Sequence, residues 1–107
     1  MLYKFRSKAT GDLVMTGVVG DAILRLLGRD PAPQGIFTVV QMPGLVQALE
    51  AAVADEERQR AEMEAAARAE GRTPPPRPGV GLRQRAWPLI EMLKRAQAAG
   101  HDIVWGV

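Results

Sequence analysis

The sequence contains no cysteine among its 107 residues and only one histidine, His101. Without cysteine the chain cannot form a disulfide, supply a thiolate nucleophile or hold a zinc or iron–sulfur site through sulfur ligands. A single imidazole also excludes a metal centre built from several histidines of one chain. We therefore expect no metal and no other cofactor, and the lack of disulfides favours the reducing cytoplasm.

Long apolar runs are also missing from the sequence. A membrane-spanning helix needs roughly 18 or more consecutive apolar residues, and no segment approaches that length. The opening residues, MLYKFRSKATGD, place cations between single apolar residues and lack the apolar segment of a secretory signal. The sequence thus predicts a soluble, cytoplasmic protein that does not bind a membrane.

Aromatic residues are scarce, because Phe, Trp and Tyr together make up 5% of the chain. The core must therefore come mainly from Leu, Ile, Val and Met. A chain of this length can close one hydrophobic core but not a second of useful size. We predict a single domain over residues 1–107.

The first forty residues predict two strands, a helix and a third strand. Apolar and charged residues alternate over 3–8, and a second apolar run at 13–16 follows turn residues, which indicates a β-hairpin. Apolar residues then recur at helical spacing, with Asp21 as the expected N-cap and Gly28 as the expected stop. The β-branched and aromatic residues of 35–40 predict the next strand.

The remainder predicts two long helices and a last strand. Pro43 suits the first residue of a helix whose apolar stripe ends near Val53, while helix-forming residues continue to about residue 70. We expect 54–70 to project beyond the core, steadied by Glu–Arg pairs. Residues 71–81 hold four prolines and three glycines, so they predict a connector.

The element order is ββαβααβ, which ends in a short apolar strand at 102–107. This order predicts an α+β fold, with a small mixed β-sheet of about four strands and helices packed on one face.

The stretch LRQRAWPLIEMLKRA, residues 82–96, contains Pro88 inside a helical pattern. Its apolar residues form one continuous stripe with the same phase before and after the proline. Either the helix starts near Pro88, or a single bent helix continues through it, and we prefer the second interpretation. Trp87 lies beside the stripe, as flanking core or as a partly exposed anchor, and the shortage of aromatic residues favours core.

Catalytic residues are hard to identify in this sequence. His101 could be a general base oriented by Asp102 or Glu91, but a turn residue without a nucleophile nearby is the better interpretation. The acidic residues between 55 and 64 are interleaved with arginines, which indicates a solvated helix and not a cation site. We therefore expect no enzymatic activity.

Basic residues fall into two groups along the chain. Lys4, Arg6 and Lys8 share one face of the first strand, and Arg83 and Arg85 belong to a region, 71–95, with six basic residues and one acidic. Together they could follow a nucleic-acid backbone. Two simpler alternatives are that the strand lysines protect a sheet edge and that the basic connector, 71–81, lies against the acidic helix of the same chain.

Three segments are familiar in combination: MLYKFRSKATGD, LRQRAWPLIEML and DIVWGV. In this order and at these positions they resemble an uncharacterised family of short proteobacterial proteins, a domain of unknown function numbered 1840. The resemblance covers essentially the whole chain around a variable acidic and proline-rich middle. It implies a compact bacterial cytoplasmic domain and supplies no activity, cofactor or catalytic residue.

Two functional hypotheses remain, and neither assigns a reaction. The preferred one is a non-enzymatic interaction or regulatory module that binds an unknown protein partner or itself through Arg83, Trp87 and Lys94, because Trp and Arg often anchor interfaces. The alternative is a nucleic-acid or ribosome-associated protein that uses Lys4, Arg6, Lys8, Arg83 and Arg85.

Overall fold

A computed structural model describes residues 2–74 and 81–107 of the chain. The predicted order ββαβααβ is confirmed. Its elements are β1 (Leu2–Ser7), β2 (Thr10–Thr16), α1 (Gly17–Leu26), β3 (Gly35–Phe37), α2 (Met42–Ala69), α3 (Leu82–Ala99) and β4 (Ile103–Trp105).

The four strands form one sheet in the order β2-β1-β4-β3, and every neighbouring pair is antiparallel. The α+β fold is confirmed, but the prediction of a mixed sheet is wrong. The chain between β3 and β4 runs out along α2 and back along α3. It therefore re-enters the sheet at the end where β3 finished, and β4 runs antiparallel to β3. The last strand therefore occupies a central position, between β1 and β3.

One face of the sheet carries most of the aromatic side chains of the chain. Tyr3, Phe5, Phe37 and Trp105 are all buried, and Phe5 contacts each of the other three rings at centroid distances of 5.5–5.9 Å. The helices pack on this face, while the charged residues of β1 point to the other side. The alternation predicted for the first strand is thus confirmed.

Helix α1 begins earlier than the sequence predicts. Its N-cap is Thr16, whose hydroxyl accepts a hydrogen bond from the Val19 N–H at 3.4 Å, so the prediction of Asp21 as the cap is wrong. Asp21 lies one turn inside the helix and accepts a hydrogen bond from the hydroxyl of Tyr3. Gly28 follows the helix with a φ of 74°, as predicted for its stop.

Gly20 packs directly against the ring of Tyr3, which leads to a prediction about stability. Alanine normally stabilises an open helical position relative to glycine by about 0.5–1 kcal/mol. At Gly20, however, an added Cβ would lie 2.1 Å from Cδ2 of Tyr3. We expect Gly20→Ala to lower the free energy of unfolding by about 1–3 kcal/mol in urea denaturation, because the buried ring must move.

Gly44 is the matched control, since it is also helical, but a Cβ there would meet no atom of residues 2–74 and 81–107 within 4 Å beyond its own chain neighbours and helix backbone. Gly44→Ala should raise the free energy of unfolding by up to about 1 kcal/mol. Equal effects of the two substitutions would contradict the packing of Gly20 on Tyr3.

The third strand is shorter than predicted. The strand expected over 35–40 ends at Phe37, and Val39–Gln41 forms a 3-10 turn. The reason is a contact distant in sequence: the N–H of Val39 donates to Oδ1 of Asp102 at 2.9 Å, instead of entering the sheet. The residue composition favours a strand here, but this side-chain acceptor stops it.

Helix α2 contributes to the main core only through its first half. Beyond Val53, none of its described residues belongs to the main hydrophobic cluster, although Ala67 is buried separately. With 28 residues the helix is about 42 Å long, in a molecule whose longest dimension is 52 Å. The predicted projection is confirmed, as are its ion pairs, Glu56–Arg60 at 3.3 Å and Glu64–Arg68 at 3.9 Å.

Helix α3 is one continuous helix from Leu82 to Ala99 with Pro88 in its interior. The part of the preferred interpretation in which one helix continues through Pro88 is therefore confirmed. The predicted stripe is buried from Ala86 onward, its first residue, Leu82, is partly buried against the core, and Gly100 ends the helix with a φ of 72°. The preference for Trp87 as flanking core is wrong, because 49% of this residue is exposed. Of the predicted connector, residues 75–80 lie outside the described residues.

Within the described residues, none of the helices combines the length and the apolar character that crossing a bilayer demands.

Candidate interaction surface

The surface predicted to bind a partner lies where α2 and α3 pack side by side. The two helices are antiparallel, since Glu57 of α2 pairs with Arg83 near the start of α3, while Glu50 pairs with Lys94 near its end. Beneath these pairs the helices bury Val53 and Ile90, which are 4% and 3% exposed. The packing of the apolar residues sets the distance between the helices and so brings the charged side chains together.

Arg83 binds Glu57 through two hydrogen bonds. Its Nε donates to Oε2 at 3.0 Å and its Nη2 donates to Oε1 at 2.7 Å. The hydrogen bonds and the charge of Glu57 raise the pKa of Arg83 above its usual range. Both side chains are more than half exposed, so the pair adds little to stability and mainly holds the guanidinium in place.

Lys94 forms the second ion pair, with 3.1 Å between its Nζ and Oε1 of Glu50. This pair is also about half exposed. The two predicted cations of the partner-binding surface are therefore both neutralised by acidic residues of α2.

Trp87 lies between the two ion pairs along α3. A groove of about 210 Å³ runs beside its ring, lined by Glu50, Val53, Arg83, Trp87 and Ile90. A second hollow, of about 440 Å³, is lined by Arg83, Gln84, Trp87 and Pro88. We call this surface the Trp87 face, and it comprises Glu50, Val53 and Glu57 of α2 with Arg83, Trp87 and Lys94 of α3.

The structure thus brings together the three residues predicted for partner binding. It also adds Glu50 and Glu57, which the sequence interpretation did not assign to the surface. The sequence carried a partial signal for Glu57, which belongs to the acidic segment that one of the simpler alternatives set against the basic connector. Arg83 follows that connector in α3 and makes the contact with Glu57 itself.

The cations proposed for nucleic acid do not form one surface. Lys4 and Arg6 lie on the outer face of the sheet, where Asp12 approaches them at 3.5 and 3.9 Å. Lys8 lines a groove of about 510 Å³ on that side, together with Arg6 and His101. Arg83 and Arg85 belong to α3, in the helical layer on the opposite face of the sheet. Binding of nucleic acid stays a prediction. A nucleic acid would contact either the cations on the outer face of the sheet or those of α3, because the two groups lie on opposite sides of the sheet.

Comparison with known families agrees with this description of one fold over nearly the whole chain. The family described as a domain of unknown function, DUF1840, matches residues 1–105. The chain belongs to the DUF1840 family. No curated protein and no solved structure matches it. The family description assigns no activity, so any role of this DUF1840 protein has to be argued from its own residues.

The position of His101 bears on the catalytic hypothesis for this DUF1840 chain. Its backbone N–H donates to the carbonyl of Ala96 at 3.0 Å, so the residue belongs to the turn that ends α3. Asp102, which the hypothesis used to orient the imidazole, accepts the hydrogen bond from Val39. Among residues 2–74 and 81–107, no three acidic or histidine side chains are grouped as a metal site would require.

Proposed function

We propose that this DUF1840 protein is a non-enzymatic interaction module that binds another protein, or a second copy of itself, through the Trp87 face. The observation that carries the proposal is the exposure of Trp87. The other four aromatic residues of the chain are at most 3% exposed, whereas Trp87 is 49% exposed. Although the chain has so few aromatic residues, one of its two tryptophans, Trp87, lies outside the core.

The surroundings of Trp87 support a binding role. Tryptophan and arginine are the residues that most often anchor protein interfaces, usually inside a rim of polar contacts. Here the ring is carried by a helix that is packed into the core, so it is held in place before a partner arrives. The ion pairs Arg83–Glu57 and Lys94–Glu50 lie on either side of it and would form the rim.

Affinity capture from the native cell tests the proposal with three immobilised forms of the protein. We expect at least one protein, or the chain itself, to be retained by the wild type and lost with Trp87→Ala. The matched control is Met63→Ala, because Met63 is also an exposed apolar residue of a helix, 60% exposed, but lies outside the Trp87 face.

The control variant should retain what the wild type retains. Quantitative mass spectrometry of the captured proteins gives the comparison. If the wild type captures nothing that Trp87→Ala fails to capture, the Trp87 face is not a binding surface and the proposal is wrong.

A further inference from the structure

We infer that the Trp87 face binds a second copy of this chain, related to the first by a twofold axis parallel to α2 and α3. This inference rests on the proposed function and names its partner. It comes from the arrangement of charge on the face, which is complementary to itself in this orientation.

The charges of the Trp87 face are sorted by helix. Its acidic residues, Glu50 and Glu57, belong to α2, and its basic residues, Arg83 and Lys94, belong to α3. The face therefore presents an acidic row beside a basic row, with Glu50 level with Lys94 and Glu57 level with Arg83. Within the Trp87 face, both charges of the α2 row are acidic and both charges of the α3 row are basic. Arg58, which follows Glu57, pairs with Asp55 of its own helix.

A twofold axis parallel to the helices exchanges the two rows and keeps every residue at its own height. Glu50 of one copy then faces Lys94 of the second copy, and Glu57 faces Arg83. Each acidic residue would lie between two basic residues, one from its own chain and one from the other. Complementary charge of this kind fixes the orientation of an interface more than it adds affinity.

A twofold axis perpendicular to the helices gives the opposite result. It turns the second copy end for end without exchanging the rows, so that acidic residues face acidic residues and basic residues face basic residues. Like charges directly opposite one another disfavour an interface. The charge pattern therefore selects one of the two face-to-face arrangements.

The apolar residues fit the same arrangement. Trp87 lies between Arg83 and Lys94 along α3, and Val53 lies between Glu50 and Glu57 along α2. With the rows exchanged, the exposed Trp87 ring of each copy lies over the surface of α2 near Val53 in the other copy. Each α3 would pack antiparallel to the α2 of the second copy, which gives two layers of two helices, as in an antiparallel four-helix bundle.

The size of the face predicts a reversible dimer. Contact along the whole of α3, which has 18 residues and is about 27 Å long, across two helices about 20 Å wide would bury roughly 500 Å² of each copy. The total of roughly 1,000 Å² is at the low end of specific interfaces. We therefore expect a dimer that dissociates on dilution.

Sedimentation equilibrium over a range of concentrations tests the inference on the full chain. The wild type should show a monomer–dimer equilibrium, and Trp87→Ala should raise the dimer Kd by about tenfold or more, as removal of an interface anchor does. Met63→Ala should leave the Kd within about twofold of the wild type, because Met63 lies outside the face.

A charge-swapped variant tests the orientation. The substitutions Glu50→Lys, Glu57→Arg, Arg83→Glu and Lys94→Glu keep both ion pairs within the chain but exchange the acidic and basic rows. Under the inferred axis, the variant should form its own dimers. Mixed dimers with the wild type would place like charges opposite each other and should fall several-fold below the fraction that random pairing gives.

Differently tagged wild-type and swapped chains, mixed and separated by affinity, measure the mixed dimers. An excess of mixed dimers would indicate the perpendicular axis and overturn the inference. The inference is also overturned if neither Trp87→Ala nor the charge swap changes the dimer Kd, because the interface would then lie elsewhere. If the swapped variant does not fold, the effect of Trp87→Ala on the Kd decides alone.

A wild type that stays monomeric at high concentration also overturns the inference. In that case, capture of a different protein that depends on Trp87 would leave the proposed function standing. A monomer that captures nothing would end both proposals.

Discussion

Phe5→Ala is expected to lower the free energy of unfolding by about 3–5 kcal/mol. Phe5 is fully buried in β1, and its ring contacts the rings of Tyr3, Phe37 and Trp105. Removing the ring leaves a cavity at the point where β1, β3 and β4 meet the helices. A domain of this size has only about 5–15 kcal/mol of stability, so the variant should unfold at much lower urea concentration or fail to fold at physiological temperature.

Leu2→Ala is the matched control for this prediction. Leu2 lies in the same strand, but 66% of it is exposed on the other face of the sheet. Its replacement should change the free energy of unfolding by less than about 0.5 kcal/mol. Urea denaturation followed by circular dichroism measures both variants. A loss below about 1 kcal/mol for Phe5→Ala would mean that the aromatic cluster is not the centre of the core.

The second large effect is a loss of stability at high pH that depends on Tyr3. Burial raises the pKa of Tyr3 to about 12, and its hydrogen bond to Asp21 and the charge of that carboxylate act in the same direction. The unfolded chain has the ordinary tyrosine pKa near 10. Because the neutral phenol is favoured in the folded state, its contribution is fully present below pH 10 and is lost as the pH rises through 12.

Between pH 10 and 12 the free energy of unfolding should therefore fall by about 2–3 kcal/mol because of this one group. Tyr3→Phe keeps the buried ring and removes the titrating hydroxyl, so its stability should decline less over the same range. Tyr3 is the only tyrosine, so the ultraviolet absorbance of the phenolate reports its pKa directly. A phenolate that forms near pH 10 in the folded protein would show that Tyr3 is not enclosed as described.

The predictions from sequence that are confirmed depend on periodicity within one element. Alternation along β1 identified Tyr3 and Phe5 as its buried side, and the continuous stripe through Pro88 identified a single helix. Both patterns arise from side-chain directions that the local backbone determines. The missing N–H of Pro88 did not interrupt the helix because the apolar residues on both sides pack on the same core.

The errors occurred where a contact distant in sequence overrides a local preference. Val39 has high strand propensity, yet Asp102 accepts the hydrogen bond from its N–H and ends β3. Asp21 is a good capping residue, but Tyr3 engages its carboxylate and Thr16 caps the helix instead. Propensity could not weigh these contacts, because the acceptor and its donor meet only after the sheet and helices have packed.

For the candidate surface too, local spacing predicted one part correctly and contacts between elements decided the other part. Helical spacing alone placed Arg83, Trp87 and Lys94 on one side of α3, since a residue's angle around a helix follows from its position in the sequence. The sequence could not determine what lies beside them. A helical angle does not say whether a neighbouring element covers that side, and Trp87 was therefore wrongly expected to be part of the core.

By itself, the sequence determined the order of the elements, the buried side of β1 and α3, and the lack of cysteine chemistry, because these follow from composition and local period. Only the tertiary structure decided that β4 lies at the centre of an antiparallel sheet and that α2 supplies Glu50 and Glu57 to the Trp87 face. The physical reason is that strand order and the pairing of charges between helices depend on how the elements pack together. That packing is set by the combined burial of residues far apart in the chain.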